Sequence, residues 1–226
     1  MSRLMRRQES SGPATFDILQ VVENTSSMTT ADQKINDWLD ASSIVNSVTL
    51  LSHTAAEEDT TDGHQVAVLS VDCSNTQNKY RGDGTNPIPW IDMDWNGQQE
   101  SNRERTNDGS VDFNYQSTIY YNSSTEITWT GESTGTAVSF IDGANSTDHK
   151  ATIPTDGHVM CGDDSGMSHS AIASFEAGDT MDGAIDTDVR GVACSGTFRA
   201  LTGSVNLTTA GTQLLDDVLD WVGGNT

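Results

Sequence analysis

The chain has 226 residues, 33 of them Asp or Glu against 11 Lys or Arg, and a formal net charge of −22. Phosphate backbones and anionic lipid surfaces are bound through Lys and Arg, so this balance argues against nucleic acid and membrane surfaces as partners. Self-repulsion at this charge density strains a compact state in dilute buffer and fades at molar salt, where the Debye length is about 3 Å; the composition suits saturated salt, as in halophilic archaea or their viruses.

Residues 1–14 carry Arg3, Arg6 and Arg7 with no apolar stretch behind them, which is not the pattern of a secretory signal. They read either as a floppy tail, as polar termini usually are, or as a basic arm able to dock on an acidic neighbour. Residues 15–226 read as one α/β domain. The segment 16–22 (FDILQVV) is short and apolar, ending in β-branched residues, and predicts a buried strand. In TTADQKINDWLDASS, a threonine cap is followed by Asp32 in the first turn and by Ile35, Trp38 and Leu39 at i, i+3 and i+4. That pattern predicts an amphipathic helix. Strands are expected over 48–51 and 65–71, and together these elements give a parallel βαβ start. Within an irregular stretch, 75–135, residues 88–94 are entered through Pro87 and Pro89 and read as a fourth parallel strand. Residues 96–112 read as a surface excursion.

The second half is strand-rich. Strands are expected over 117–121, 126–130, 137–141, 150–153, 158–162, 171–175 and 189–195, spaced as antiparallel hairpins. A closing helix carries Leu214, Leu215, Val218, Leu219, Trp221 and Val222 on one stripe, with Asp216, Asp217 and Asp220 on the wet face and Gly223 at its end. No run of about 18 apolar residues occurs, so no membrane-spanning helix is expected.

The segments FDILQVV, TTADQKINDWLDA, SVTLLSH and DGHQVAVLSVD resemble, in order, the opening of the flavodoxin-like domain of ThuA-like and class I glutamine-amidotransferase-like proteins. ASFEAGDTMDGAIDTDVRGVACSG resembles that group's late strand, hairpin and following strand, and LTTAGTQLLDDVLDW resembles its closing helix. The resemblance covers both ends of the chain and leaves out the middle, 94–135. It implies a flavodoxin-like parallel sheet core with a strand-rich antiparallel second half and a C-terminal helix. A fold does not carry a function with it.

An amidotransferase-type site needs a nucleophilic cysteine on a glycine-flanked elbow, with a histidine and an acid beside it. Cys73 in VDCSN is the nearest candidate, but no glycine flanks it, and His53, His64, His149, His158 and His169 are scattered. Cys73, Cys161 and Cys194 have no CxxC spacing and read as buried structural thiols. The loop ENTSSMTT after the first strand has hydroxyls but no glycine, and Glu23 stands where a flavin phosphate would go, which argues against flavin. DMDWNG has the start of a calcium loop: Asp92, Asp94 and Asn96 would supply oxygens and Gly97 the turn. Arg103 occupies the twelfth position, where a bidentate Glu is needed. A divalent cation such as calcium is therefore the one cofactor considered, against the reading of a solvated acidic turn. Trp90, Trp95 and Trp129 with Tyr115, Tyr120 and Tyr121 fall in the unmatched middle. They read either as a local core or as a partner-facing patch, the surface type in which Trp and Tyr are enriched.

These observations lead to the expectation of a non-enzymatic subunit of a halophilic assembly, specifically a virion protein of a haloarchaeal virus: a capsid decoration, turret or tail-associated component. Its partners would be protein subunits of the same assembly, copies of itself among them. The alternative is a halophilic ThuA-like or amidotransferase-like enzyme or sugar-binding module.

Overall fold

A computed structural model describes residues 15–52, 63–69, 87–93, 112–114, 117–122, 126–143, 148–150, 156–162, 164–181, 185–194, 198 and 201–224. It is an α/β structure built on a mixed sheet of nine strands with two helices among the described residues.

Strand β1 (Phe16–Val22) is buried at every position except Asp17. It leads to helix α1 (Thr30–Ala41), whose cap is Thr29: the Thr29 hydroxyl accepts from the Asp32 amide at 3.1 Å, satisfying an end-of-helix donor as N-cap residues do. The expected stripe is buried, Ala31, Ile35, Trp38 and Leu39 all facing inward. Strand β2 (Val45–Ser52) returns parallel to β1 and is longer than the sequence pattern suggests. Strands β3 (Val66–Leu69) and β4 (Trp90–Asp92) follow, each buried throughout.

The remaining strands are β5 (Asp112–Asn114), β6 (Thr118–Tyr121), β7 (Ala137–Ser139), β8 (Asp148–Lys150), β9 (His158–Gly162), β10 (Ser170–Phe175), β11 (Thr180–Met181), β12 (Ile185–Asp186) and β13 (Gly191–Cys194). Helix α2 (Thr209–Val222) closes the chain. The main sheet has the order β2-β1-β3-β4-β13-β10-β9-β6-β7, while β5/β8 and β11/β12 form separate ribbons.

Five neighbouring strands, β2, β1, β3, β4 and β13, run parallel. From β13 to β7 each pairing is antiparallel. One expectation is corrected here: the last strand is not part of a hairpin series alone, because β13 also lies parallel to β4. Within 75–135, the parallel strand expected over 88–94 is present as β4 at the middle of the sheet, and the strand expected over 117–121 as β6 near its far end.

Both helices cover one face of the sheet. Ile18, Val68, Ile91 and Val192 share a cluster with Ile35, Trp38 and Leu39 of α1 and with Leu214, Leu215, Val218 and Leu219 of α2. On the opposite face Leu19, Ala67, Leu69, Trp90, Phe175 and Ala193 form a second cluster. Two glycines are needed for these approaches. A Cβ on Gly191 would stand 2.0 Å from the Trp90 ring, and one on Gly211 would stand 2.0 Å from the Phe140 carbonyl oxygen, where α2 meets the end of β7.

Candidate functional site

In open α/β sheets, ligands bind outside the carboxyl ends of the parallel strands, near the point where strand order reverses. Here that point lies between β1 and β3. The loop after β1 is closed on itself: the Asn24 side-chain oxygen accepts from the Ser26 amide (2.9 Å) and hydroxyl (2.7 Å). Behind it, the Thr29 hydroxyl donates to the Asp32 carboxylate at 2.8 Å. Gln20, buried on β1, donates to the Asp32 carbonyl at 3.2 Å and accepts from the Asn36 amide at 2.9 Å. This buried polar set joins β1 to the start of α1. Its signal in the sequence was a lone glutamine inside an apolar strand.

Asp92 is 1% exposed and is the last residue of β4, in register between Leu69 and Ala193. It belongs to the strand rather than to an acidic turn, so the cation-loop pattern does not start in a loop; a buried carboxylate at the carboxyl end of the sheet stands there instead. Asp94 and Asn96 lie outside the described residues. Among the described residues, no three His, Cys, Asp or Glu side chains gather to hold a metal ion. Cys161 and Cys194 are buried, and burial pushes the Cys161 thiol far up, away from the reactive thiolate form. Cys73 lies outside the described residues.

The expected aromatic patch divides. Trp90 is 0% exposed, tilted against Phe175 with centroids 6.1 Å apart. Tyr121 and Trp129 are also buried, in an edge-to-face pair at 5.9 Å. The Tyr121 hydroxyl donates to the Ile127 carbonyl and accepts from the Trp129 amide, and the Trp129 indole N–H donates to the Ala210 carbonyl at 3.1 Å. These three side chains are core, not partner-facing: each buries a large ring, and for Tyr121 and Trp129 the polar atom also finds an internal partner. Tyr120, on the other side of β6, is half-buried. Arg3, Arg6, Arg7, Trp95 and Tyr115 lie outside the described residues.

Residues 126–130 show alternating burial without strand pairing, because they dock on α2 rather than on a neighbouring strand. Asp217 accepts from the Thr130 amide (2.6 Å) and hydroxyl (3.0 Å). Burial pushes its carboxyl up despite these bonds. Asp216 accepts from the Trp38 indole (3.0 Å) and the Ser42 hydroxyl (2.9 Å), tying α2 to α1 beside a cleft of about 290 Å³ lined by Trp38, Ala41, Ser42, Ser43, Thr212 and Asp216. Asp216 and Asp217 are thus half-buried clamps, where the helical pattern assigns them to the wet face.

At the opposite end of the sheet, His158 and Glu126 pair at 2.6 Å, and Arg190 binds Glu176 at 3.0 Å while lying over the Trp221 ring. The hydrogen bond to Glu126 raises the His158 pKa above its ordinary 6.5. A raised folded-state value means the pair stabilises fully below the unfolded value and loses that contribution as pH rises through the folded one. Glu126→Gln is expected to lower the His158 titration midpoint measured by NMR. An unmoved midpoint would remove Glu126 as the cause.

The chain matches no family model and no curated protein in sequence.

Proposed function

We propose that the chain is a non-catalytic subunit of an assembly that works in molar salt, in its specific form a virion protein of a haloarchaeal virus such as a decoration, turret or tail-associated component. The observation that carries the salt requirement is how the carboxylates are held. Asp17 accepts from Asn46 and Ser47, Asp142 from Asn206, Asp164 from Gly166 and Ser168, and Asp216 from Trp38 and Ser42. These donors are neutral. They fix the carboxylates in place without cancelling their charge, so beyond the field of Lys34 at Asp142 the counter-charge is left to dissolved cations. In such a medium, like-charged subunits can pack side by side, because contact repulsion is screened within a few ångströms.

The parallel order β2-β1-β3-β4-β13, with α1 and α2 on one face, supports a flavodoxin-like core as the rigid platform of this subunit. No helix among the described residues is long and apolar enough to cross a membrane. The test is light scattering in about 3 M and about 0.2 M KCl, conditions set by the screening argument. A discrete oligomer at high salt that falls apart at low salt is expected; a monomer in both sinks the reading.

One observation favours a second reading, a ThuA-like or amidotransferase-like enzyme or sugar-binding module: buried Asp92 at the carboxyl end of the sheet. Under that reading Cys73→Ser or Asp92→Asn abolishes a measurable activity or sugar binding, and under the first neither has such an effect.

A further inference from the structure

We propose that two copies of the chain pair antiparallel through β2, making one continuous sheet across a two-fold axis. This deepens the assembly reading and rests on it, since it names a second copy as the partner.

Strand β2 is the terminal strand of the nine-stranded sheet and, at eight residues, the longest strand described. From Asn46 to Leu51 its outer row of amides and carbonyls has no ladder partner among the described residues. Natural sheet edges are guarded by charge, proline, bulges or shortness, because an open edge is a template for another strand. The far edge, β7, is guarded by its length of three residues. Strand β2, VNSVTLLS, has no charge and no proline. Its one irregularity is at its start, where the register shifts between Phe16 and Asp17, and Ser47 to Ser52 pair regularly with β1. Asn46, Ser47 and Thr49 are exposed, and Val45, Val48, Leu50 and Leu51 are half-buried.

Charge selects the occupant. A basic foreign partner would be drawn to the carboxylate-covered surfaces rather than to a neutral strip. A second copy, itself at −22, is repelled by those surfaces and meets least resistance along β2. Asp17, on the neighbouring strand, is held back by Asn46 and Ser47. Asp37 and Asp40 on the exposed side of α1 would still repel across the junction, so pairing should tighten as salt rises.

Geometry fixes the register closely. If the helix-covered faces of both copies lie on the same side, residues of like face must pair. Centring the regular run then puts Thr49 or Leu50 on the two-fold axis. A residue on that axis faces its own copy with Cα atoms about 4.5–5.5 Å apart, within disulfide reach.

The experiment uses the full chain carrying Cys73→Ser, in about 3 M KCl. Thr49→Cys and Leu50→Cys are oxidised, with Ser204→Cys, in an exposed loop, as control. Thr49→Lys is measured by light scattering and circular dichroism. A covalent dimer from one of the two edge cysteines but not from the control is expected. So is a twofold fall in mass for Thr49→Lys with an unchanged spectrum. If the protein associates, Thr49→Lys does not change its mass and neither edge cysteine links, the copies meet elsewhere; the edge proposal falls while the assembly reading stands. A monomer at every salt and protein concentration overturns both. A monomer whose β2 amides resist hydrogen exchange until residues 1–14 are deleted assigns the edge to the chain's own arm and also overturns the proposal.

Discussion

Trp129→Ala is expected to lower stability by about 3–5 kcal/mol, the range for removing a large buried aromatic side chain. For a domain of this size that amounts to a fall in Tm of roughly 10 °C. The reason is that Trp129 holds a segment with no strand pairing of its own. Its ring is wholly buried against Tyr121, its indole N–H reaches the Ala210 carbonyl in the first turn of α2, and its backbone amide is fixed by the Tyr121 hydroxyl. Removing the ring opens a cavity between β6 and α2 and takes away the side-chain donor that the part-buried Ala210 carbonyl accepts from. Trp129→Phe keeps most of the buried area and loses the indole bond, so it should cost only about 1 kcal/mol more than its change in volume. Urea unfolding of both variants in molar KCl separates the two contributions. A loss under about 1 kcal/mol for the alanine variant would mean the segment is not anchored by this ring.

Transfer from about 3 M to about 0.2 M salt is expected to remove roughly 5 kcal/mol of folding stability, taking the −22 as spread over a compact globule with screened Coulomb repulsion. Typical domains have only about 5–15 kcal/mol in total, so unfolding on dilution is the expected outcome, read by circular dichroism against KCl concentration. Mild acid should not substitute for salt. Hydrogen bonds from Ser47 to Asp17, from the Asn206 amide to Asp142 and from Ser168 to Asp164 hold these carboxyls below the ordinary 3.8. Such groups stabilise the fold above the unfolded value and lose that contribution as pH falls through the lower folded one. They therefore stay charged between pH 7 and 5, so any shift of the salt midpoint in that window comes from groups whose values are raised, such as His158, and not from these three carboxylates. A chain equally stable at both salt concentrations would contradict the reading of its surface as salt-dependent.

Where local chemistry decides an element, the sequence made it legible. Strand β1, helix α1 from its Thr29 cap, strand β9 and helix α2 with Gly223 at its end all follow from periodicity and capping. The partners of β4 do not. Three residues entered through Pro89 could pair with anything, and their place between β3 and β13 depends on chain a hundred residues away. The alternation in 126–130 is real burial, yet it arises from packing on α2 and the Tyr121 hydroxyl rather than from a ladder. The aromatic set could not be sorted by type alone. Trp90 is core because Gly191 on the adjoining strand leaves room for its ring, a relation visible only once the two strands are neighbours. Asp216 and Asp217 illustrate the converse, since helical phase places them outward but Trp38 and Thr130 come to meet them.

The pairing of Trp90 with Gly191 also bears on how the chain reaches its folded state. β1, β2, β3 and α1 can gather early from nearby sequence, but β4 gains its second neighbour only when β13 arrives. Contacts so far apart in sequence slow folding. During synthesis, the apolar margin of β4 must wait uncovered while the intervening hundred residues are made. A chain stopped before residue 190 would lack both β13 and α2, and with them the closure of the helix-covered core; such fragments should be the aggregation-prone species of this protein.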